Sequence, residues 1–331
     1  MVTLKSNSKS NLIVGIGSAL VDILAHENDE FLKKTGAEKG GMRLVDNEFM
    51  EHTLLRTTGD TTTVPGGSAC NTVVGISKLG GRSRFVGKCG QGKMGRFFKS
   101  SLKKHNVEPA LFTSSSPTGR VLSIITPDAQ RSMFTYLGAS SETHPAELSG
   151  GCFNNAAIVH VEGYLLFNAD LILAALEKAR EAGALVSLDL ASFTVVRESK
   201  KLLERIINEY VDILIANEDE ALALTDHADE MKAIQALSAK AKISVLKMGA
   251  RGSIIAHEGK IIKIKAIGDG NAIDTTGAGD LWASGFLFGL INGYSLEKCG
   301  QLGSACGYEV CQVVGATIPD KGWKRIKKLL Q

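Results

Sequence analysis

The residues best suited to chemistry stand in one seven-residue run, Asp274-Thr275-Thr276-Gly277-Ala278-Gly279-Asp280, just before the apolar stretch Leu281–Ile291. Small residues let the backbone of 277–280 approach a ligand closely. A helix starting there presents unsatisfied N–H groups, which make an anion site. A carboxylate in that first turn has two readings. Asp280 caps the helix dipole, or it takes a proton from an acceptor hydroxyl while the amides of Gly277, Ala278 and Gly279 stabilise charge on a transferring phosphoryl group. Other polar residues stand out by their company. Asn71 interrupts a helical pattern of Ala, Val and Ile and wants a polar partner. Asn217 has the place of a helix N-cap and Glu220 that of a first-turn Glu. Asp22 follows the first apolar run, as a turn residue at a strand end does.

Two further glycine motifs fail on their own chemistry. Gly15-Ile16-Gly17 follows a strand but lacks the third glycine of a dinucleotide fingerprint, and Asp22 would crowd a pyrophosphate. Gly87 to Met94 has the spacing of a phosphate loop, but Met94 stands where a hydroxyl must ligate magnesium, and a thioether is a poor ligand for a hard cation. A tight turn between strand and helix is the simpler reading.

The elements that must position these groups alternate. Short apolar runs at Asn11–Gly17, Arg84–Lys88, Ala157–Val161, Leu185–Leu190, Val211–Asn217 and Ile243–Met248 read as strands. Helical periodicity fills Ala69–Leu79, Lys93–His105, Ala169–Ala182, Ser199–Asn208, Glu218–Leu224, Ala228–Ala239, Ala278–Ile291 and Leu296–Val314. Strand and helix in alternation predict an α/β fold with a mostly parallel sheet flanked by helices. Two regions break the rhythm. Residues 23–64 hold a charged helix at Asp29–Lys34, the glycine pair Gly40-Gly41 and a polar run at Thr57–Thr63. Residues 118–139 read as a hairpin turning at 127–130. Together they are expected to form a small β-rich lid, residues 23–64 and 118–139, over a core of 11–22, 65–117 and 140–331. The basic segment Lys321–Leu330 reads as a solvated last helix.

Composition narrows the function class. The chain has 331 residues, 44% hydrophobic and 22% charged, and 38 basic side chains face 35 acidic ones. The net charge of +3 is too balanced for nucleic acid or an anionic membrane as partner. Six cysteines, at 70, 89, 152, 299, 306 and 311, include no C-x-x-C pair, the pattern of a thiol-bearing cytoplasmic chain. No run of 18 apolar residues exists, and Leu12–Leu24 is broken by Gly15, Gly17, Ser18 and Asp22, so neither a spanning helix nor a secretion signal is expected.

The run 274–280 resembles the C-terminal signature of the ribokinase-like (PfkB) carbohydrate and nucleoside kinases. Gly66-Gly67-Ser68-Ala69-Cys70-Asn71, followed by Gly80-Gly81 and Gly87, resembles the N-terminal signature of that family. Asn217-Glu218-Asp219-Glu220 looks like its N-x-x-E motif, and Lys247-Met248-Gly249-Ala250-Arg251-Gly252 like its nucleotide-binding strand and turn. These occur in the family's order over about residues 12–318, nearly the whole chain. Within the family the chain looks most like adenosine kinases. The Gly-Gly-Ser form at 66–68, Pro117-Thr118-Gly119, Arg131-Ser132-Met133, Glu162-Gly163-Tyr164 and Val211 to Leu214 all match segments of those enzymes. Ser18 departs from them, standing where many carry Asn, and Gly41 or Met42 falls near a position where some carry Gln.

The resemblance implies transfer of the γ-phosphoryl of ATP to a primary hydroxyl, with the 5′-hydroxyl of adenosine as acceptor. Asp280 would be the base and Gly277, Ala278 and Gly279 the anion hole. Asp22 would clamp two vicinal ribose hydroxyls. Ser18, Gly66, Gly67, Ser68 and Asn71 would complete the sugar contacts, and Met133 and Tyr164 would flank the purine, although packing explains an apolar side chain equally well. Alternation puts Met133 and Thr135 on one face of their strand and Phe134 and Tyr136 on the other. Asn217, Lys247, Gly249, Gly252 and Thr275 would hold ATP, and Glu220 would hold Mg2+ through water. Magnesium is the expected source of positive charge at the phosphates. Asp274 and Thr276, with carbonyls near 314–318, would hold K+. A sugar kinase for ribose, fructose or a ketodeoxy acid is the alternative within the family. A non-catalytic binder on the same fold is the alternative outside it. A monomer and a homodimer are both open.

Overall fold

The computed structural model describes residues 10–36, 39, 41–128, 131–268 and 270–330. Gly40 and the turn residues 129 and 130 lie outside the described residues. Two sheets organise the chain. The larger has nine strands, and the order across it is Lys260–Ile264, Ser253–His257, Ile243–Lys247, Ile213–Asn217, Leu185–Asp189, Ala156–Glu162, Leu12–Ile16, Arg82–Gly90 and Val107–Ser114. From Ile243–Lys247 to Val107–Ser114 all neighbours run parallel. The two edge strands Ser253–His257 and Lys260–Ile264 are antiparallel.

Parallel sheets bury both faces, so their strands read as continuous apolar runs. Alternation within those runs builds two cores. Ile213, Ile215, Ile243 and Val245 face the helix Ala278–Ile291 and pack with Trp282 and Phe286. Leu214, Ala216 and Leu246 face the opposite layer, with residues from the helices Ala169–Glu181, Lys200–Tyr210 and Glu230–Ser238. Every residue from Leu281 to Leu290 is buried. A helix that is apolar on all sides belongs in an interior, and its N-terminus is thereby fixed against the sheet. Phe286 is fully buried, and its truncation to Ala would cost about 3–5 kcal/mol.

The second sheet has five strands in the order Met42–Leu44, Arg131–Gly138, Thr118–Ile125, Leu20–His26 and Thr61–Gly66. The expected boundaries after residue 22 and before residue 65 fall inside strands, because Leu20 pairs with Gly66 and Asp22 with Val64 in this sheet. Only the end of the polar run Thr57–Thr63 is therefore strand, as part of Thr61–Gly66, and a helix the sequence pattern does not predict precedes it at Asn47–Arg56. Threonine suits a half-exposed pleat despite its polarity. One face of the sheet is closed by that helix and by Asp29–Lys34, with Phe134 fully buried 5.1 Å from Phe49. Met133 and Phe134 face opposite sides, as alternation requires.

The two misleading glycine motifs are structural. Gly15 lies within the strand Leu12–Ile16, and Gly17 leads to another strand, not to a helix. Gly87 and Gly90 lie in a strand, and the turn to helix Lys93–Lys104 packs on Thr118, whose Oγ1 accepts from the Gly90 amide at 3.0 Å. The last helix, Asp320–Lys327, buries Trp323 and Ile326, so it is amphipathic and docked rather than solvated all round. Among the described residues no helix is long and apolar enough to cross a membrane.

Candidate active site

Asp280 sits in the first turn of the buried helix Ala278–Ile291. Gly277 caps that helix with φ +72, a left-handed conformation that a side chain rarely adopts, and a Cβ there would lie 2.6 Å from Ala316 Cβ. Ser68 Oγ donates to Asp280 Oδ1 at 2.7 Å, and Asn71 Nδ2 donates to Oδ2 at 2.9 Å. Both donors come from the helix Ser68–Leu79, which also sends Thr72 Oγ1 to the Asp280 carbonyl at 3.1 Å. The polar partner wanted by Asn71 is thus the carboxylate. Burial pushes the Asp280 carboxyl above its usual range, while Asn71 and Ser68 pull it back down. The helix dipole expected from the sequence is therefore not alone in setting its charge.

Several of the residues expected to meet the acceptor gather beside it. Gly67 has φ +96 and opens helix Ser68–Leu79, and its backbone passes so close to Ser18 that a Cβ would lie 2.3 Å from the Ser18 carbonyl oxygen. A Cβ on Gly66 would lie 2.3 Å from Asp22 Oδ1. Asp22 is not at a strand end; it is buried in the middle of Leu20–His26. Glu162 ties this corner together. Its Oε1 accepts from the Ser18 amide at 2.8 Å and its Oε2 from the Ala69 amide at 3.0 Å. Burial raises the Glu162 carboxyl to about 7 against those donors. Cys70 lies among the same groups: burial first, then the charges of Asp22, Glu162 and Asp280, raise its thiol far above the ordinary value.

On the other side of Asp280 stand the residues expected to meet ATP. Asn217 and Glu220 form a reciprocal cap on helix Glu218–Thr225. Asn217 Oδ1 accepts from the Glu220 amide at 2.9 Å, while Glu220 accepts from the Asn217 amide and from Asn217 Nδ2, each at 2.7 Å. Burial raises Glu220 to about 7, with Lys247 opposing and Asp189 adding to the shift. Lys247 ends the strand Ile243–Lys247 and donates to Asp189 Oδ2 at 2.7 Å. Burial works against its ammonium, yet Asp189 and Glu220 raise its pKa above the usual lysine value. Its Nζ lies 3.0 Å from where a Gly279 Cβ would stand. Positive charge at the turn therefore comes from the chain itself, not only from the magnesium expected there. Gly249 and Gly252 flank the turn to the antiparallel strand, and Gly252 is required by the Ile264 carbonyl, 2.0 Å from a would-be Cβ.

Excess buried negative charge at Asp189, Glu220 and Asp280 suits a cation. Both Glu220 oxygens already accept hydrogen bonds, so the arrangement fits a hydrated magnesium ion held through water better than direct ligation. Among the described residues no three His, Cys, Asp or Glu side chains group as a direct metal site. Asp274 Oδ1 accepts from the Thr276 amide and hydroxyl at 2.9 and 2.7 Å, and Oδ2 from the Gly315 amide at 2.8 Å. This brings 274–276 against the loop near 314–318, as the potassium expectation needs. Thr275 supplies its carbonyl to the Ala278 amide.

Tyr164 keeps 38% of its surface exposed, yet burial and the charges of Asp280, Glu162, Glu220 and Asp189 raise its phenol. It stands among the carboxylates. Met133 lies on the strand Arg131–Gly138 of the smaller sheet, between Met42 and Ser123. In the sequence Glu162 stands out only as part of the segment Glu162-Gly163-Tyr164, with no role of its own, and Asp189 does not stand out at all. Each is a lone carboxylate closing an apolar run, at the C-terminal end of a parallel strand, where α/β sheets place their ligands.

The pfkB family carbohydrate kinase model matches residues 42–322. The chain is 31% identical to a probable sugar kinase from Rhizobium etli CFN 42, covering 97% of this chain and 98% of that one at a TM-score of 0.88. It is also 31% identical to the adenosine kinase from Sinorhizobium meliloti, covering 98% and 100%, again at 0.88. A nucleoside kinase from Methanocaldococcus jannaschii is 29% identical over 80% of this chain and 85% of its own. The chain belongs to the PfkB family of carbohydrate kinases, and it is a phosphotransferase with an alcohol group as acceptor.

Proposed function

We propose that this PfkB kinase transfers the γ-phosphoryl group of ATP to the 5′-hydroxyl of a ribonucleoside, with adenosine as the preferred acceptor and AMP as product. One observation carries the reading. The helix that begins at Ser68 holds the Asp280 carboxylate with Ser68 and Asn71, and the strand leading into it ends at Gly66, which abuts the buried Asp22 carboxylate. A candidate base and a candidate diol clamp thus flank one short turn, an arrangement that supports a ribose with a primary hydroxyl as acceptor.

Asp280 takes the proton of the acceptor hydroxyl as that oxygen attacks phosphorus in line. The amides of Gly277 and Gly279 receive the charge of the phosphoryl oxygens at the helix N-terminus, whereas the Ala278 amide expected beside them already donates to the Thr275 carbonyl at 3.1 Å. Asp22 accepts hydrogen bonds from the two ring hydroxyls, and Asn71, Ser68 and the backbone at Ser18 and Gly67 border the sugar. Magnesium, when bound, would neutralise the phosphate oxygens. Glu220 and Asn217 would hold it through water. Asp274 and Thr276 with the loop near Gly315 would hold K+. The smaller sheet acts as the lid that keeps competing water out; its Leu24 side chain already lies 3.2 Å from where a Gly315 Cβ would stand. Met133 and Tyr164 border the base.

A sugar kinase of the same family is the second reading. The likeness to the Rhizobium etli probable sugar kinase, equal in identity and TM-score to that with the adenosine kinase, favours it. A coupled ADP-release assay with Mg-ATP and potassium separates the two. Adenosine, inosine, guanosine, ribose and fructose are compared at equal concentration. Selective turnover of adenosine supports the proposal. Turnover of a free sugar alone replaces it with the second reading.

A further inference from the structure

We propose that Lys247 is a catalytic residue, with its ammonium sharing the anion hole of the 277–280 turn, and that Asp189 is the positioning residue that holds it there. The inference rests on the phosphoryl group docking at that turn, and not on which acceptor receives it.

Lys247 ends an interior strand of the large sheet, third from one edge, and its side chain is 13% exposed. The ammonium points at the backbone of the first helical turn, because a Cβ on Gly279 would stand 3.0 Å from Nζ. Glycine at 279 therefore makes room for the lysine as well as for a ligand. A helix N-terminus carries about half a positive charge, and a second positive group beside it is costly unless an anion lies between them. Asp189, 2.7 Å away, offsets part of that cost, and the Glu220 and Asp280 carboxylates offset more of it. A buried ion pair by itself is weak evidence for stability. Placing one against the unsatisfied amides of a helix start is a poor way to stabilise a fold and a good way to receive a phosphoryl group.

The geometry of Asp189 supports a positioning role. Its Oδ2 takes the lysine, and its Oδ1 accepts from the Ala191 amide at 3.1 Å. Ala191 has φ +63, a conformation uncommon for a residue with a side chain, so this turn is held at some cost. The carboxylate is thus fixed before the lysine meets it. An ammonium has three donors on a flexible stem and acts on phosphate as a compact charge.

During transfer the bond from acceptor oxygen to the γ-phosphorus forms, and the bond from that phosphorus to the β,γ-bridging oxygen breaks. The electron pair of the broken bond stays on ADP. The hydroxyl proton goes to Asp280. Lys247 keeps its proton throughout and only neutralises charge on the equatorial oxygens.

The test compares Lys247→Met, Lys247→Arg and Asp189→Asn with the wild type, using whichever acceptor of the panel the wild type turns over fastest. An unexpected acceptor therefore overturns the adenosine reading and leaves this test intact. Calorimetry with Mg-ADP and with the β,γ-imido analogue of ATP isolates the γ-phosphoryl contact without turnover. The expected result for Lys247→Met is a fall in kcat of about 100-fold or more, the scale seen when one charge-stabilising donor is removed. The KM of the acceptor and the affinity for ADP stay within about 3-fold, while affinity for the imido analogue falls about 10-fold. Lys247→Arg keeps the charge and recovers part of the analogue's affinity. Asp189→Asn lowers kcat by about 10-fold with both KM values little changed, as a positioning residue should. A Lys247→Met enzyme that keeps kcat and the wild-type preference for the imido analogue over ADP overturns the proposal. If Lys247→Met does not fold, Lys247→Gln takes its place with the same two criteria.

Discussion

Asn71 Nδ2 stands 2.9 Å from Asp280 Oδ2, a contact between residues 209 positions apart. With Ser68 it opposes the effect of burial on that carboxyl. The sign follows directly. Removing either donor lets burial dominate, so the carboxyl pKa rises and the ionised base is lost at a higher pH. Asn71→Ala and Ser68→Ala should each move the acid limb of the kcat profile upward, and the loss should be larger at pH 6 than at pH 8. A limb that stays in place would separate Asp280 from the acid limb altogether.

Asp280→Asn removes the proton acceptor and keeps the shape. The kcat should fall by about 1,000-fold or more, while calorimetry shows ATP and acceptor still binding. Turnover within about tenfold of wild type would falsify the assignment of Asp280 as base.

Gly66 and Asp22 form a pair that one methyl group can disturb, since a Cβ at 66 would lie 2.3 Å from Asp22 Oδ1. Gly66→Ala should therefore mimic Asp22→Asn. Both should raise the acceptor KM by about 10-fold or more, the scale of one or two hydrogen bonds to a charged group, with the ATP KM little changed. The measurement is a pair of substrate titrations for each variant. An effect confined to ATP would dissociate Asp22 from the acceptor.

Cys70 is buried among carboxylates that keep its thiol protonated. A thiol in that state is a poor nucleophile. Iodoacetamide at pH 8 should leave Cys70 unlabelled and activity intact, with Cys311, the one cysteine not fully buried, modified first. Peptide mass mapping reads the outcome. Cys70→Ala should retain turnover; its complete loss would give the thiol a role the surroundings do not suggest.

Glu162 has a carboxyl raised to about 7 from an ordinary value of 4.5. Between those values the folded protein holds a proton that the unfolded chain has released. The contribution to stability is full below the lower value and is lost as pH rises through 7. Urea unfolding should thus show a lower midpoint at pH 7.5 than at pH 5 for this group. Glu162→Gln should flatten that slope. It should also cost about 1–3 kcal/mol, because an amide cannot accept from both the Ser18 and Ala69 amides. Unchanged pH dependence in the variant would show that Glu162 titrates normally.

Local residue patterns mark the large sheet, its flanking helices and the position of the glycine-rich turn at 274–280. Those features are local. Apolar runs such as Ile213–Ala216 and the all-apolar helix after Asp280 have one sensible burial. The smaller sheet was legible only in part. Its strand Thr61–Gly66 is polar, and what makes it a strand is pairing with Leu20–His26, across a chain segment that no local pattern connects. The same holds for the charges. Nothing in the residues near 162, 189 or 247 says that Glu162 holds the amides of Ser18 and Ala69, or that Lys247 reaches Gly279 with Asp189 behind it. Hydrogen bonds and charge interactions act over a few ångströms, and which groups come within that range is decided by how distant segments pack. The sequence names the carboxylates and the lysine; only the tertiary structure says which of them share a site.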